Sequence, residues 1–149
     1  IQVKLCDFGL SRVKNSMATL TAMTAAVGTP AYMAPELVQG NHMIDSVEAG
    51  KAVDVFSFSM MVLELFTQER PYINMQFNNS YHLMMRVCDG LRPTIIPDSV
   101  VPPPIGALCR KCWNTEPESR PSFEQIVLTL KLLEREQESQ CTTNQNRCK

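Results

Sequence analysis

Charge of either sign is not in excess in this chain. Among its 149 residues, 14 Lys and Arg stand against 15 Asp and Glu, for a net charge of −1. Nucleic-acid binding needs a positive field over the surface, so no nucleic-acid partner is expected. A long hydrophobic run is also missing. The longest apolar-rich stretch, Val53 to Phe66, is broken by Asp54 and Glu64 and is too short to cross a bilayer. No membrane segment is expected in this chain. No basic segment leads into an apolar one, so no signal peptide is expected, and there is no internal repeat. The two histidines, His42 and His82, stand in no metal-ligand pattern.

What is present is an ordinary globular balance. Apolar residues make up 44% and charged residues 19%, enough to build a core without covalent staples. Six cysteines allow three readings: a disulfide scaffold, a zinc site, or reduced thiols. A disulfide scaffold belongs to small secreted chains poor in core residues. Zinc usually needs two tight pairs, whereas Cys109 and Cys112 sit in an apolar helical pattern beside Trp113, and Cys141 and Cys148 lie in a polar tail. Reduced thiols are the favoured reading.

Val3 to Cys6 alternates as a short strand does. From Asp7 to Thr29 no period is sustained, and a loop of that length in a compact domain is usually functional. Pro35 to Val38 fits a helical turn with proline at its first position, and Gln39 to Gly50 reads as loop. Lys51 to Thr67 has almost no polar face, which predicts a helix enclosed by core on every side. Ser80 to Cys88 predicts an amphipathic helix capped by Ser80, with Tyr81, Met84, Met85 and Cys88 inward. A proline-rich loop, a helix over Ile105 to Trp113 and a helix opened by Arg120-Pro121-Ser122 follow. Ser122 with Gln125 fits a capping box, and Phe123, Ile126, Val127, Leu130 and Leu133 form the core stripe. A lone strand has no partner for its backbone groups, which predicts a further N-terminal portion.

Four motifs carry chemistry. Asp7-Phe8-Gly9 puts a carboxylate at a strand end beside a glycine, which suits a hard cation such as Mg²⁺. Alone, that tripeptide fits a simple turn equally well. Gly28-Thr29-Pro30-Ala31-Tyr32-Met33-Ala34-Pro35-Glu36 lies downstream. The two bracket a loop rich in Ser and Thr, which is the order of the protein-kinase signature. Asp54-Val55-Phe56-Ser57-Phe58-Ser59 and Arg120-Pro121-Ser122-Phe123 follow.

In that order the motifs resemble the C-terminal lobe of a eukaryotic protein kinase, over residues 1 to about 136. The segment Gly28 to Glu36, and Cys112-Trp113 ahead of Pro117-Glu118-Ser119-Arg120-Pro121, are most similar to the tyrosine-kinase-like group of Ser/Thr kinases. The resemblance implies a mainly α fold class, the C-terminal-lobe fragment of an α+β two-lobe kinase fold. A partial kinase domain would occupy 1–136 and a polar, disordered tail 137–149. It further implies a protein serine/threonine kinase in signal transduction, transferring the ATP γ-phosphoryl to protein hydroxyls. ATP and Mg²⁺ would be its cofactors. Its partners would be a protein substrate and an upstream activating kinase, or a second copy by autophosphorylation in trans. Its place would be cytoplasmic, alone or as the cytoplasmic part of a membrane receptor kinase.

The resemblance also assigns roles. Asp7 would hold Mg²⁺ on the ATP phosphates, with Phe8 and Gly9 completing the nucleotide-side motif and Phe8 packing between the lobes. Thr29 would contact the catalytic base and the substrate hydroxyl, favouring Ser/Thr substrates. Gly28, Thr29, Pro30 and Tyr32 would line the substrate-docking loop. Asp54 would hold the backbone of the catalytic loop, with Met61 and Leu65 supporting the adenine-side stack. Glu36 and Arg120 would form a buried ion pair. Thr24 leads the regulatory phosphosite candidates, with Thr21, Thr19 and Ser16 as rivals. Plainer readings stand beside these. Asp54 could be a first-turn acid favoured by the helix dipole, Glu36 a surface charge, and Met60, Met61, Met84 and Met85 core fillers.

Phe56 stands where the family usually has Trp, and Ser59 where it usually has Gly. The larger departure is that these residues include no Gly-rich loop, no β3 Lys, no αC Glu and no His-Arg-Asp loop. Those would precede Ile1, and without them this chain alone is not expected to catalyse transfer. A non-catalytic pseudokinase or scaffold is the alternative reading. A helix upstream of Asp7 would be one neighbour of the Val53 to Phe66 helix, so the chain by itself is expected to expose an apolar patch.

Overall fold

The computed structural model describes residues 3–4, 6, 29–39, 46–94 and 100–147, with backbone alone for 140–147. Among the described residues the regular structure is helical: α1 (Pro35–Gln39), α2 (Val47–Thr67), α3 (Ser80–Cys88), α4 (Pro103–Cys112) and α5 (Phe123–Arg147). Two 3-10 turns, Pro30–Tyr32 and Pro117–Ser119, precede α1 and α5. The mainly α fold class expected of a kinase C-terminal lobe is what these elements form.

α2 is the axis of the fold. Ser46 starts it, accepting the Ala49 N–H at 3.0 Å on its hydroxyl, with Glu48 in the positive first turn. The helix therefore begins before Gly50, in the stretch expected as loop. It ends at Gln68, whose left-handed φ of 57° lets its N–H reach the Glu64 carbonyl at 2.8 Å. One side of α2 gives Phe56, Met60 and Leu63 to a core shared with Ala34, Tyr72, Val87, Val101, Cys109 and Trp113. Val55 belongs to a second cluster with Leu108, Cys112 and Ile126. Fully burying each large apolar side chain contributes about 1.5–3 kcal/mol.

The expected enclosure of α2 on every side is not what the structure shows. Val47, Lys51, Asp54, Met61 and Leu65 recur three, four or seven residues apart and are exposed, with Phe58 half-buried among them. Met61 is 46% and Leu65 62% exposed. The described elements pack α2 from the other directions, and none covers this stripe.

α3 is rotated from the expected face. Asn79, not Ser80, caps it, accepting the His82 N–H at 2.9 Å. Val87 is buried and Leu83 packs on the core, while Tyr81 and Met85 face solvent. α1 and the Pro30–Tyr32 turn pack against α3, and of the expected face Met84 and Cys88 remain half-buried, with the Cys88 thiol 3.7 Å from the Pro35 carbonyl.

α4 lies against α2, and its CxxC is divided between the two cores. Cys109 joins the first and Cys112 the second, both as free thiols. Burial pushes Cys109 up to about 11 and Cys112 up to about 12, so neither is a reactive thiolate near neutral pH. α5 opens on a reciprocal capping box: Gln125 accepts the Ser122 N–H at 2.8 Å, and Ser122 accepts the Gln125 N–H at 3.3 Å. Ile126 is buried and Leu130 packs beside it, and Phe58 meets Phe123 edge-on at 5.8 Å. Phe123 and Val127 are otherwise exposed, so the docked stripe is narrower than expected.

Two further expectations differ. Val3, Lys4 and Cys6 are not in a strand, since no second strand lies among the described residues to complete the ladder. The tail from 137 was expected to be disordered, yet its backbone is helical through Arg147. Extending an established helix adds one hydrogen bond for each residue fixed, without a new nucleus.

Candidate functional site

The described part of the site is the segment from Thr29 to Glu36 and the residues that clamp it. Proline at the first position sets the 3-10 turn, with Tyr32 N–H on the Thr29 carbonyl at 3.0 Å and Met33 N–H on the Pro30 carbonyl at 3.2 Å. Thr29 is exposed at the start of the turn, and its hydroxyl makes no capping bond. Behind it Met33, Ala34, Pro35 and Glu36 are buried.

Three attachments fix this segment to the helices. Ser57 of α2 donates to the Tyr32 carbonyl at 2.9 Å and shares that proton with the Val53 carbonyl at 3.3 Å. The Tyr32 hydroxyl donates to the Glu64 carboxylate. Burial, the bond to Glu64 and that carboxylate's charge push the Tyr32 phenol up to about 12, so it stays a donor across the physiological range. The third attachment is Glu36 to Arg120. Arg120 Nη1 lies 2.6 Å from Glu36 Oε1 and Nη2 2.9 Å from Oε2, a fork-on-fork pair with both residues buried.

Arg120 uses every donor it has. Its remaining N–H groups reach the Asn114 carbonyl at 2.8 Å, the Ala52 carbonyl at 2.9 Å and the Thr115 carbonyl at 3.5 Å. The charge is thus buried with all five N–H groups satisfied, the condition under which a buried pair is tolerable. Arg120 also lies over the Phe56 ring at 5.2 Å, and Arg92 lies over the same ring at 5.2 Å.

Asp54 lies about two turns into α2, seven residues after Val47, so it is not a first-turn acid. Much of its surface is exposed, and desolvation of its carboxyl raises it above the ordinary carboxylate range. It has no hydrogen bond to the described residues. Met61 and Leu65 occupy the exposed stripe of the same helix. Asp7, Phe8, Gly9, Gly28, Ser16, Thr19, Thr21 and Thr24 lie outside the described residues. The structure therefore brings together Thr29, Pro30 and Tyr32 on one turn and joins Glu36 to Arg120, while Asp54 stands apart from them. Glu64, Ser57 and Arg92 were not singled out from the sequence. A signal existed for Glu64, an acid interrupting an otherwise apolar helix.

The family model described as protein kinase domain matches residues 1–130. The dual specificity protein kinase shkA of Dictyostelium discoideum is 38% identical over 132 residues, covering 87% of this chain and 23% of that protein. The probable serine/threonine-protein kinase SIS8 of Arabidopsis thaliana is 38% identical over 133 residues, covering 89% of this chain and 12% of that protein. A third relative, the probable serine/threonine-protein kinase drkC of Dictyostelium discoideum, is 37% identical over 134 residues, at 89% and 16% coverage. The chain thus spans less than a quarter of the length of these relatives. With the family model covering most of its residues, the chain belongs to the protein kinase domain family.

Proposed function

We propose that the intact protein is a serine/threonine kinase, transferring the γ-phosphoryl of ATP to protein hydroxyls in signalling, and that this chain supplies its substrate-side platform. The observation that carries the reading is Thr29. Thr29 is exposed, with no side-chain hydrogen bond to the described residues, at the start of a turn held by Ser57 at the Tyr32 carbonyl, by Glu64 at the Tyr32 hydroxyl and by the Glu36–Arg120 pair just beyond it. A hydroxyl held so rigidly beside open surface can orient an incoming serine or threonine hydroxyl toward a base. The printed names of two relatives, both probable serine/threonine-protein kinases, favour the same substrate class.

The other roles follow the family pattern. Asp7 would hold magnesium on the nucleotide, beside Phe8 and Gly9, and the metal would neutralise charge on the phosphates. Asp54 would accept backbone N–H groups of the catalytic loop. Its desolvated, unbonded carboxyl is in the state that such donors relieve. Gly28, Thr29, Pro30 and Tyr32 would receive the substrate. Thr24, Thr21, Thr19 and Ser16 are the candidate regulatory phosphosites. Magnesium-ATP and a protein substrate are the partners, with activation by an upstream kinase or in trans, in the cytoplasm. The 149 residues alone would not transfer phosphate, since they contain neither phosphate clamp nor base.

The test is substitution at Thr29 in the intact protein. Thr29→Ser keeps the hydroxyl and retains transfer, whereas Thr29→Val lowers kcat roughly tenfold or more, the worth of one bond to a charged group. Equal activity of both variants would remove Thr29 from the reaction. No transfer by the unsubstituted protein would move the reading to a non-catalytic scaffold.

A further inference from the structure

Arg92 differs from Arg120 in having no carboxylate. Its Nε donates to the Trp113 carbonyl at 2.8 Å and its Nη1 to the Val87 and Leu91 carbonyls at 2.9 and 2.7 Å. Its Nη2 donates to the Thr115 hydroxyl at 3.2 Å. Every acceptor is neutral, whereas Arg120 is paired with the Glu36 carboxylate. Both guanidiniums lie 5.2 Å from the centre of the Phe56 ring, and of the two it is Arg120 that holds the Glu36 carboxylate. Burial acts most strongly against the charged form of Arg92 and the Arg120 charge adds to it, while Tyr72, Glu36 and Cys88 act the other way without outweighing burial. A half-buried cation so placed gains from any anion brought to its open edge.

Thr115 is at that edge. It is exposed, on the connection between α4 and α5, and its hydroxyl accepts from Arg92 while its carbonyl accepts from Arg120. Asn114, Glu116 and Glu118 around it are exposed as well. As an acceptor toward Arg92, the hydroxyl keeps its own hydrogen for a base. Acidic residues follow it one and three positions on, a pattern suited to a kinase that reads acids C-terminal to its target.

We propose that Thr115 is a phosphorylation site and that Arg92 receives the phosphate. In the transfer step Thr115 Oγ1 forms a bond to the γ-phosphorus of ATP. The bond from that phosphorus to the β,γ-bridging oxygen breaks, and ADP leaves with the electron pair. The hydroxyl proton passes to the base of the modifying kinase. The product replaces one neutral acceptor of Arg92 with a phosphate of nearly two negative charges. Glu116, the next residue, opposes that charge at short range, and both Glu116 and Glu118 are exposed, so solvent weakens the repulsion without removing it.

The experiment treats the intact protein with magnesium-ATP and a serine/threonine kinase selective for acidic residues after its target. Modified positions are then mapped by mass spectrometry. The expected result is phosphate at Thr115, and none at that position in Thr115→Val. An unmodified Thr115 in the folded protein overturns the proposal, whether or not the free peptide 111–122 accepts phosphate. Pairing is read by phosphorus NMR on the modified protein. The second ionisation of the phosphate falls about one pH unit below its midpoint in the phosphorylated peptide 111–122, and the gap narrows in Arg92→Gln. Should that variant not fold, the comparison of protein with peptide decides alone. Equal midpoints in the two overturn the role of Arg92.

Discussion

The carboxylate of Glu36 and the guanidinium of Arg120, 84 positions apart in the chain, meet as a two-bond fork in the protein interior. This contact ties the end of the Thr29–Glu36 segment to the entrance of α5. It does so through a cation that also gathers the carbonyls of Ala52, Asn114 and Thr115. One residue therefore sets the relative placement of α1, α2 and the connection between α4 and α5.

Removing one partner leaves the other charged and buried. Arg120→Ala is expected to destabilise the protein by about 3–5 kcal/mol, and Glu36→Gln by a similar or smaller amount. Denaturant unfolding followed by circular dichroism reads this directly. A midpoint unchanged by Arg120→Ala would mean that the pair contributes nothing to the fold.

Tyr72 carries the one buried side-chain polar atom without a hydrogen bond among the described residues, its hydroxyl. An orphaned hydroxyl costs free energy that its removal restores. Tyr72→Phe is thus expected to leave the melting temperature unchanged or raise it. A loss above about 1 kcal/mol would show that the hydroxyl has a partner in solution.

The phenols of Tyr32 and Tyr72 both stand at about 12, against an ordinary 10.0, chiefly through burial. The folded state thus keeps protons that the unfolded state loses. The associated stability is complete below pH 10 and falls as pH rises toward 12. The double variant Tyr32→Phe, Tyr72→Phe should show a flatter decline over that window than the unsubstituted protein. Parallel declines in denaturant midpoint against pH would contradict the assignment.

Cys109 and Cys112 are buried, with thiols raised to about 11 and 12. At pH 8 an alkylating reagent should leave both unmodified in the native protein and label both after denaturation. Mass mapping of modified peptides reads the outcome. Rapid native labelling of either would place it at the surface or beside a charge that the fold does not show.

What the sequence disclosed, and what it did not, follows the range of each interaction. The Ser122–Gln125 capping box and the proline-led turn of α1 depend on neighbours within a few residues, so spacing reveals them, whereas the Pro30–Tyr32 turn was not expected. The face of α3 depends on what α1 presents to it. Of the expected face Met84 and Cys88 are half-buried, while Tyr81 and Met85 matched the helical period by residue type yet face solvent and Leu83 and Val87 pack on the core. The Glu36–Arg120 contact spans most of the chain and came from the family resemblance rather than from any periodicity. The stacking of Arg92 and Arg120 on Phe56 had no local signal, because it joins three separate elements. The nucleotide-side residues Asp7, Phe8 and Gly9 rest on their motif alone.

The most direct measurement of the central claim is phosphate transfer by the intact protein from γ-labelled ATP with magnesium to a generic protein substrate, followed by phosphoamino-acid analysis. The account predicts phosphoserine and phosphothreonine, with transfer abolished by Asp7→Ala while binding of a protein substrate persists. Product confined to phosphotyrosine, or transfer indifferent to Asp7→Ala, would contradict it.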